Sequence, residues 1–116
     1  MEQLICHLLG DYVLQTDWMA RTKHSSLIAA LVHALVYTLP FILLTRSAWA
    51  LLVICSTHVI IDRYRLAGVV MSLKKWSWKK SHEAYATPPE VSAMLHIVID
   101  NTLHLAINYL AIKYLG

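Results

Sequence analysis

The chain has 116 residues, enough for one domain, of which 58% are hydrophobic and only 15% charged. Its mean hydropathy of +0.53 is higher than a soluble domain of this size needs, and turns the reading toward a membrane. The net charge of +3 excludes little by itself. Because the basic residues follow the pattern of loops between apolar runs, nucleic acid is not expected as a partner.

The first apolar run, Met1–Ala20, reads as a polar-faced helix from about Glu2 to Ala20, tilted or shallow. No basic residue precedes its apolar part and no small-residue cleavage site follows, so a retained helix is expected rather than a signal peptide. His7, Asp11 and Gln15 are spaced by four and form one stripe, and Trp18 suits an interface. The second run, Ser25–Thr45, begins with serines that can cap its first amides. It carries His33 and Tyr37, and Pro40 is expected to bend its far half. After a turn at Thr45-Arg46-Ser47, a third helix runs from Ala48 past Asp62, ending at Arg63 or continuing to about Met71. Leu73–Lys80 mixes tryptophan with lysine, as an amphipathic cytoplasmic segment does. Thr87 and Glu90 around Pro88-Pro89 fit a capping box that opens the last helix, Val91–Leu115. There His96, Asp100, His104 and Asn108 step along one face.

The expected fold is therefore all-α: a polytopic membrane protein, one membrane-embedded domain over residues 1–116. It is read as a compact bundle of four transmembrane helices, or three plus one shallow, with the lipid bilayer as its first partner. Eight of the ten Lys and Arg fall in Arg21–His24 and Arg63–Lys80, which places those loops in the cytoplasm and both termini outside a bacterial inner membrane. Cys6 and Cys55 lack metal-type spacing and read as buried free thiols.

Three of the four aspartates have a histidine four residues away: His7/Asp11, His58/Asp62 and Asp100/His104. At this histidine frequency such a count arises by chance about once in 150. Helices 1 and 3 read His then Asp and helix 4 reads Asp then His. Alternating topology would thus place every histidine on the outer side of its aspartate. Asp11, His33 and Asp100 also share a depth of about 12–14 Å from the cytoplasmic ends. Asp62 joins that level only if helix 3 continues to Met71, so a helix ending at Arg63 weakens the case for one site.

Ionisable groups in apolar helices are costly and mark function by default. His7, Asp11, His33, His58, Asp62, Asp100 and His104 are the expected ligands of one or two divalent ions, with Zn²⁺ first and Mn²⁺ or iron next. Gln15, Tyr37 and Asn108 would orient them. One of Asp11, Asp62 and Asp100 would act as general base on water, and Arg63 and Arg65 would hold a phosphate or headgroup. No serine, cysteine or lysine sits in an evident nucleophile arrangement. The leading function is metal-assisted hydrolysis of a lipid or another membrane-accessible ester or phosphoester. The alternatives are a metal or proton relay working as a homo-oligomer, and a non-enzymatic module that binds a host membrane protein. Each His/Asp pair can also be a plain packing clamp between helices.

The motifs His7-Leu-Leu-Gly-Asp11-Tyr-Val-Leu-Gln15-Thr-Asp17-Trp18, Thr57-His58-Val-Ile-Ile-Asp62-Arg63 and Asp100-Asn101-Thr102-Leu103-His104, the last preceded by Thr87-Pro88-Pro89, resemble one family. It comprises small bacterial and bacteriophage membrane proteins catalogued as a domain of unknown function. The resemblance covers nearly the whole chain and implies a compact multi-helix membrane protein, phage- or prophage-encoded, without supplying a reaction. A fainter likeness is to inner-membrane metal-dependent hydrolases, which also place histidines and aspartates in short apolar helices. Their motifs carry no roles over residue by residue.

Overall fold

The computed structural model describes residues 1–78 and 88–116, and side chains except those of residues 75–87. Among these residues all regular structure is helical: α1 Glu2–Leu8, α2 Asp17–Thr22, α3 Leu27–Thr38, α4 Ala48–Arg63, α5 Leu66–Trp78 and α6 Pro89–Leu115. A π turn, Leu9–Val13, follows α1, and a 3₁₀ turn, Leu39–Leu43, follows α3.

Four of the helix starts have a local cause. The side chains of Thr16, Ser26 and Ser47 accept from the backbone amides of Met19, Ala29 and Ala50, capping α2, α3 and α4. Pro89 sits in the first turn of α6, where its missing N–H costs nothing. The Thr87–Glu90 capping box rests on Thr87, outside the described residues, as do Lys79, Lys80 and His82. Pro40 falls in the first turn of the 3₁₀ segment, where the regular α-helix of α3 ends. Its carbonyl receives the Cys6 thiol at 3.4 Å.

α4 packs between α3 and α6. Ala29, Ala34, Ala50 and Ala67 are fully buried, and such small residues let helix backbones approach closely. Cys6, Tyr37, Phe41, Ile54 and Ala111 make the apolar cluster beside them. The π turn after α1 reaches this core through Gly10, where a Cβ would lie 2.6 Å from Tyr37 Cδ2 and 3.0 Å from its Cα. No other residue fits there without displacing α3.

The all-α class is what the sequence predicts, but the polytopic bundle of four transmembrane helices is not what forms. The apolar runs are broken into shorter rods. α3 has 12 residues and α4 has 16, or about 18 and 24 Å against a hydrocarbon core of about 30 Å. The expected first span is divided by the π turn, and the third ends at Arg63, where Tyr64 caps α4 and Arg65 turns the chain with φ 51°. Among the described residues only Pro89–Leu115 is long and apolar enough to cross a membrane, with Leu27–Leu43 apolar but shorter. The multi-pass inner-membrane placement is corrected with the fold.

Candidate metal centre

Four elements bring the polar residues together. The π turn supplies Asp11, α3 supplies His33 and Tyr37, α4 supplies His58 and Asp62, and α6 supplies Asp100, His104 and Asn108. In the π turn the Leu14 amide reaches back to the Leu9 carbonyl at 2.9 Å, one residue further than in an α-helix. The turn therefore presents Asp11 to the core without continuing the stripe that a regular helix would carry to Gln15.

Asp11 and Asp62 are the two anionic poles. Asp11 Oδ1 accepts from His33 Nε2 at 3.0 Å and stands 3.5 Å from His58 Nε2. Asp62 Oδ2 lies 3.3 Å from both His33 Nε2 and His58 Nε2, while Asp62 Oδ1 accepts from His104 Nε2 at 3.3 Å. These five residues are at most 7% exposed in their side chains. Asp100 stands at the edge, 27% exposed, its Oδ2 3.7 Å from His104 Nε2. Tyr37 stacks on His58 at 3.7 Å and 22°, which fixes the plane of that imidazole.

Burial opposes charge on both aspartates. The His33 hydrogen bond, the neighbouring imidazoles of His58 and His104 and the Lys23 ammonium outweigh it at Asp11, whose carboxyl is held below its usual value. The His104 hydrogen bond and the close imidazoles of His33 and His58 do the same, more strongly, at Asp62. His33 is desolvated, yet its hydrogen bond to Asp11 and the nearby Asp62 carboxylate raise it. Desolvation wins at His58, which is pushed down to about 4 and is neutral at pH 7.

Other residues form a second network. Asn108 Nδ2 donates to the Tyr37 hydroxyl at 2.6 Å, and that hydroxyl donates to His7 Nδ1 at 2.8 Å. His7 Nε2 donates to Asn101 Oδ1 at 2.9 Å, and Tyr12 donates to the same oxygen at 3.0 Å. Both His7 nitrogens are thereby engaged, although Nδ1 is only 3.6 Å from Asp11 Oδ2.

Of the residues singled out in the sequence, Asp11, His33, His58, Asp62, Asp100 and His104 converge, and His7, Tyr37 and Asn108 lie against them. Gln15 Oε1 is buried without a hydrogen-bond partner among the described residues. Arg63 donates to the His24 carbonyl at 2.7 Å, and Arg65 is exposed at the turn after α4. The main residue missed is Lys23, counted in the sequence only among the basic residues of the Arg21–His24 loop. Its Nζ lies 2.7 Å from Asp62 Oδ2 and 3.4 Å from His33 Nε2. Asn101, Tyr12 and His24 were missed as well. His24 Nδ1 donates to the Asp62 carbonyl at 2.7 Å. Asn101 could have been found as a polar neighbour of Asp100; nothing in the pattern distinguishes Lys23 from other loop lysines.

The cluster has the chemistry of a cation site. One donor atom from each of Asp11, His33, His58 and Asp62 falls within 4.8 Å of the others, and the same holds for Asp11, Asp100 and His104. His58 Nε2 and Asp62 Oδ2 are buried with no hydrogen-bond partner among the described residues. A buried nitrogen left without a partner, as His58 Nε2 is, is costly in a packed core and is an atom a metal ion satisfies, whereas Asp62 Oδ2 is ion-paired to Lys23 at 2.7 Å.

Fold and site together define an all-helical protein around a buried histidine–aspartate cluster able to hold a metal ion. The chain belongs to the family described as "Protein of unknown function (DUF3307)", whose model matches residues 1–115. No curated protein and no solved structure matches it.

Proposed function

We propose that the protein is a metal-dependent hydrolase of an ester or phosphoester, with Asp11, His33, His58 and Asp62 holding one divalent ion. Asp100 and His104, sharing Asp11, would hold a second. The observation that carries this reading is the convergence of one donor atom from each of Asp11, His33, His58 and Asp62 within 4.8 Å, with His58 Nε2 buried and without a hydrogen-bond partner among the described residues. Imidazole with carboxylate suits Zn²⁺, Mn²⁺ or iron. A bound ion would polarise the substrate oxygen and acidify water.

The chain's own residues do the rest. Tyr37 fixes the His58 ring. His104 orients Asp62 through Oδ1. Asp100, the most open carboxylate of the cluster, is placed to take a proton from an attacking water. A lipid substrate is supported by exposed aliphatic side chains on the elements that frame the site, including Leu8, Leu9, Val13, Ile97 and Val98.

Elemental analysis of the purified protein tests the reading, with His58→Ala and Asp100→Ala beside wild type. Stoichiometric metal in wild type, lost in His58→Ala, is expected. A folded wild type with no metal after exposure to Zn²⁺, Mn²⁺ and Fe²⁺ sinks it. Turnover is then sought on phosphoester and carboxylester panels, including lipids. Metal without turnover would leave a binding protein rather than an enzyme.

A further inference from the structure

Lys23 caps the C-terminus of α2 at the turn into α3, and its side chain runs inward until only 12% is exposed. Its Nζ is 2.7 Å from Asp62 Oδ2, 3.4 Å from His33 Nε2 and 3.9 Å from Asp11 Oδ1. Three of the four residues assigned to the first ion therefore face one ammonium. The contact with Asp62 is an ion pair, and among the described residues Oδ2 has no hydrogen-bond partner. Lys23 balances charge there without completing the coordination of the oxygen.

A divalent ion would lie about 2.0–2.2 Å from the same carboxylate oxygens. An ammonium and a dication on one oxygen stand within about 5 Å of each other and repel strongly in a dry site. The two cations cannot share the cradle.

We propose that Lys23 is a tethered competitor for the metal position: its ammonium neutralises Asp62 and Asp11 in the metal-free protein and withdraws when an ion enters. The inference rests on the metal-centre reading and adds a residue that sets its affinity. With Lys23 in place, two carboxylates and one ammonium leave a single negative charge. With Lys23 withdrawn, the cradle presents two, the complement of a dication. The apparent affinity is lowered by the fraction of molecules whose Lys23 is out of the way. That fraction belongs to the metal-free protein, so the reduction is the same for every ion.

Calorimetric titration of Zn²⁺ and Mn²⁺ into wild type, Lys23→Met and Lys23→Arg tests this, together with amine-reactive labelling of wild type read by mass spectrometry. Lys23→Met should bind both ions about tenfold or more tightly than wild type, by a similar factor for each. Its metal-free form should unfold at a lower temperature. Lys23→Arg, which keeps the charge and adds a fork to the carboxylates, should bind no more tightly than wild type. Lys23 of wild type should label faster once Zn²⁺ or Mn²⁺ is added. Lower stability with unchanged metal affinity in Lys23→Met makes the lysine merely structural and overturns the inference, as does labelling that ignores the ion. If Lys23→Met does not fold, the arginine variant and the labelling decide. Should neither wild type nor Lys23→Met take up metal, the metal centre itself is refuted.

Discussion

Tyr37 belongs to two polar regions that treat their hydrogen bonds differently. Its hydroxyl joins the chain Asn108–Tyr37–His7–Asn101–Tyr12, in which every link has a donor and an acceptor. Its ring face covers His58, whose two nitrogens are both without a hydrogen-bond partner among the described residues. The first region is uncharged and complete, as a polar network must be to hold a core together at no penalty. The second concentrates Asp11, Asp62, Lys23 and three imidazoles in buried space and leaves part of their bonding capacity unspent. Burial alone therefore does not mark a functional residue. His7 and His58 are equally buried, and they differ in whether the protein itself completes their bonding.

The sharpest break of this contrast is Asp62→Ala. It removes the anion shared by Lys23, His33, His58 and His104 and should cost about 3–5 kcal/mol in urea denaturation, because buried cations lose their partner. Metal uptake should vanish with it. If metal content persists at the wild-type level, the ligand set is wrong.

Next in size is the response to acid of the metal-free protein. His58 has a folded value of about 4 against about 6.5 unfolded, so it binds its proton more readily in the unfolded chain. Its neutral state supports the fold fully above about pH 6.5, and that support is lost as pH falls toward 4, a change of order 3 kcal/mol. His33, raised, works in the other direction. Its contribution is fully present below about pH 6.5 and lost as pH rises through its folded value. Asp11 and Asp62, lowered, add stability above about pH 3.9 that disappears only in stronger acid. His58→Gln should therefore abolish or reverse the fall in urea midpoint between pH 6.5 and 4. An unchanged fall would mean that another group carries it.

Tyr37→Phe keeps the stack on His58 but strands His7 Nδ1 and Asn108 Nδ2, at a cost of about 1–3 kcal/mol. Bound metal should stay within twofold of wild type. A large loss would merge the two regions into one site. Smallest is Tyr12→Phe at the exposed end of the network, about 0.5–1.5 kcal/mol with no change in metal.

Much of the site was legible because the His/Asp pairs announce themselves at a four-residue step, and His33 was the lone ionisable group of its run. The reading of depth was not sound. It treated each apolar run as a straight rod, and required α4 to continue to Met71 for Asp62 to reach the others. α4 ends at Arg63, yet Asp62 sits at the centre of the cluster. It arrives there because α4 packs between α3 and α6 and the π turn brings Asp11 inward. Hydropathy counts how apolar a run is but not where its axis breaks, so four spans were expected where shorter helices form. His7 shows the same limit. Its spacing from Asp11 predicts a shared role, but Asp11 falls within the π turn and the His7 imidazole is taken by Tyr37 and Asn101. Lys23 was invisible because a lysine in a polar turn carries no signal of pointing inward.

The turn that carries Lys23 is bolted to the end of α4 from both directions: His24 donates to the Asp62 carbonyl, and Arg63 donates to the His24 carbonyl. A hinge there would have to break two bonds at once. Whatever travel Lys23 has must come from its own four methylenes, which swing in picoseconds to nanoseconds where space allows. Exchange at the cluster would then be paced by one side chain's rotamers and by ion arrival, with no slow opening of the helices in the rate.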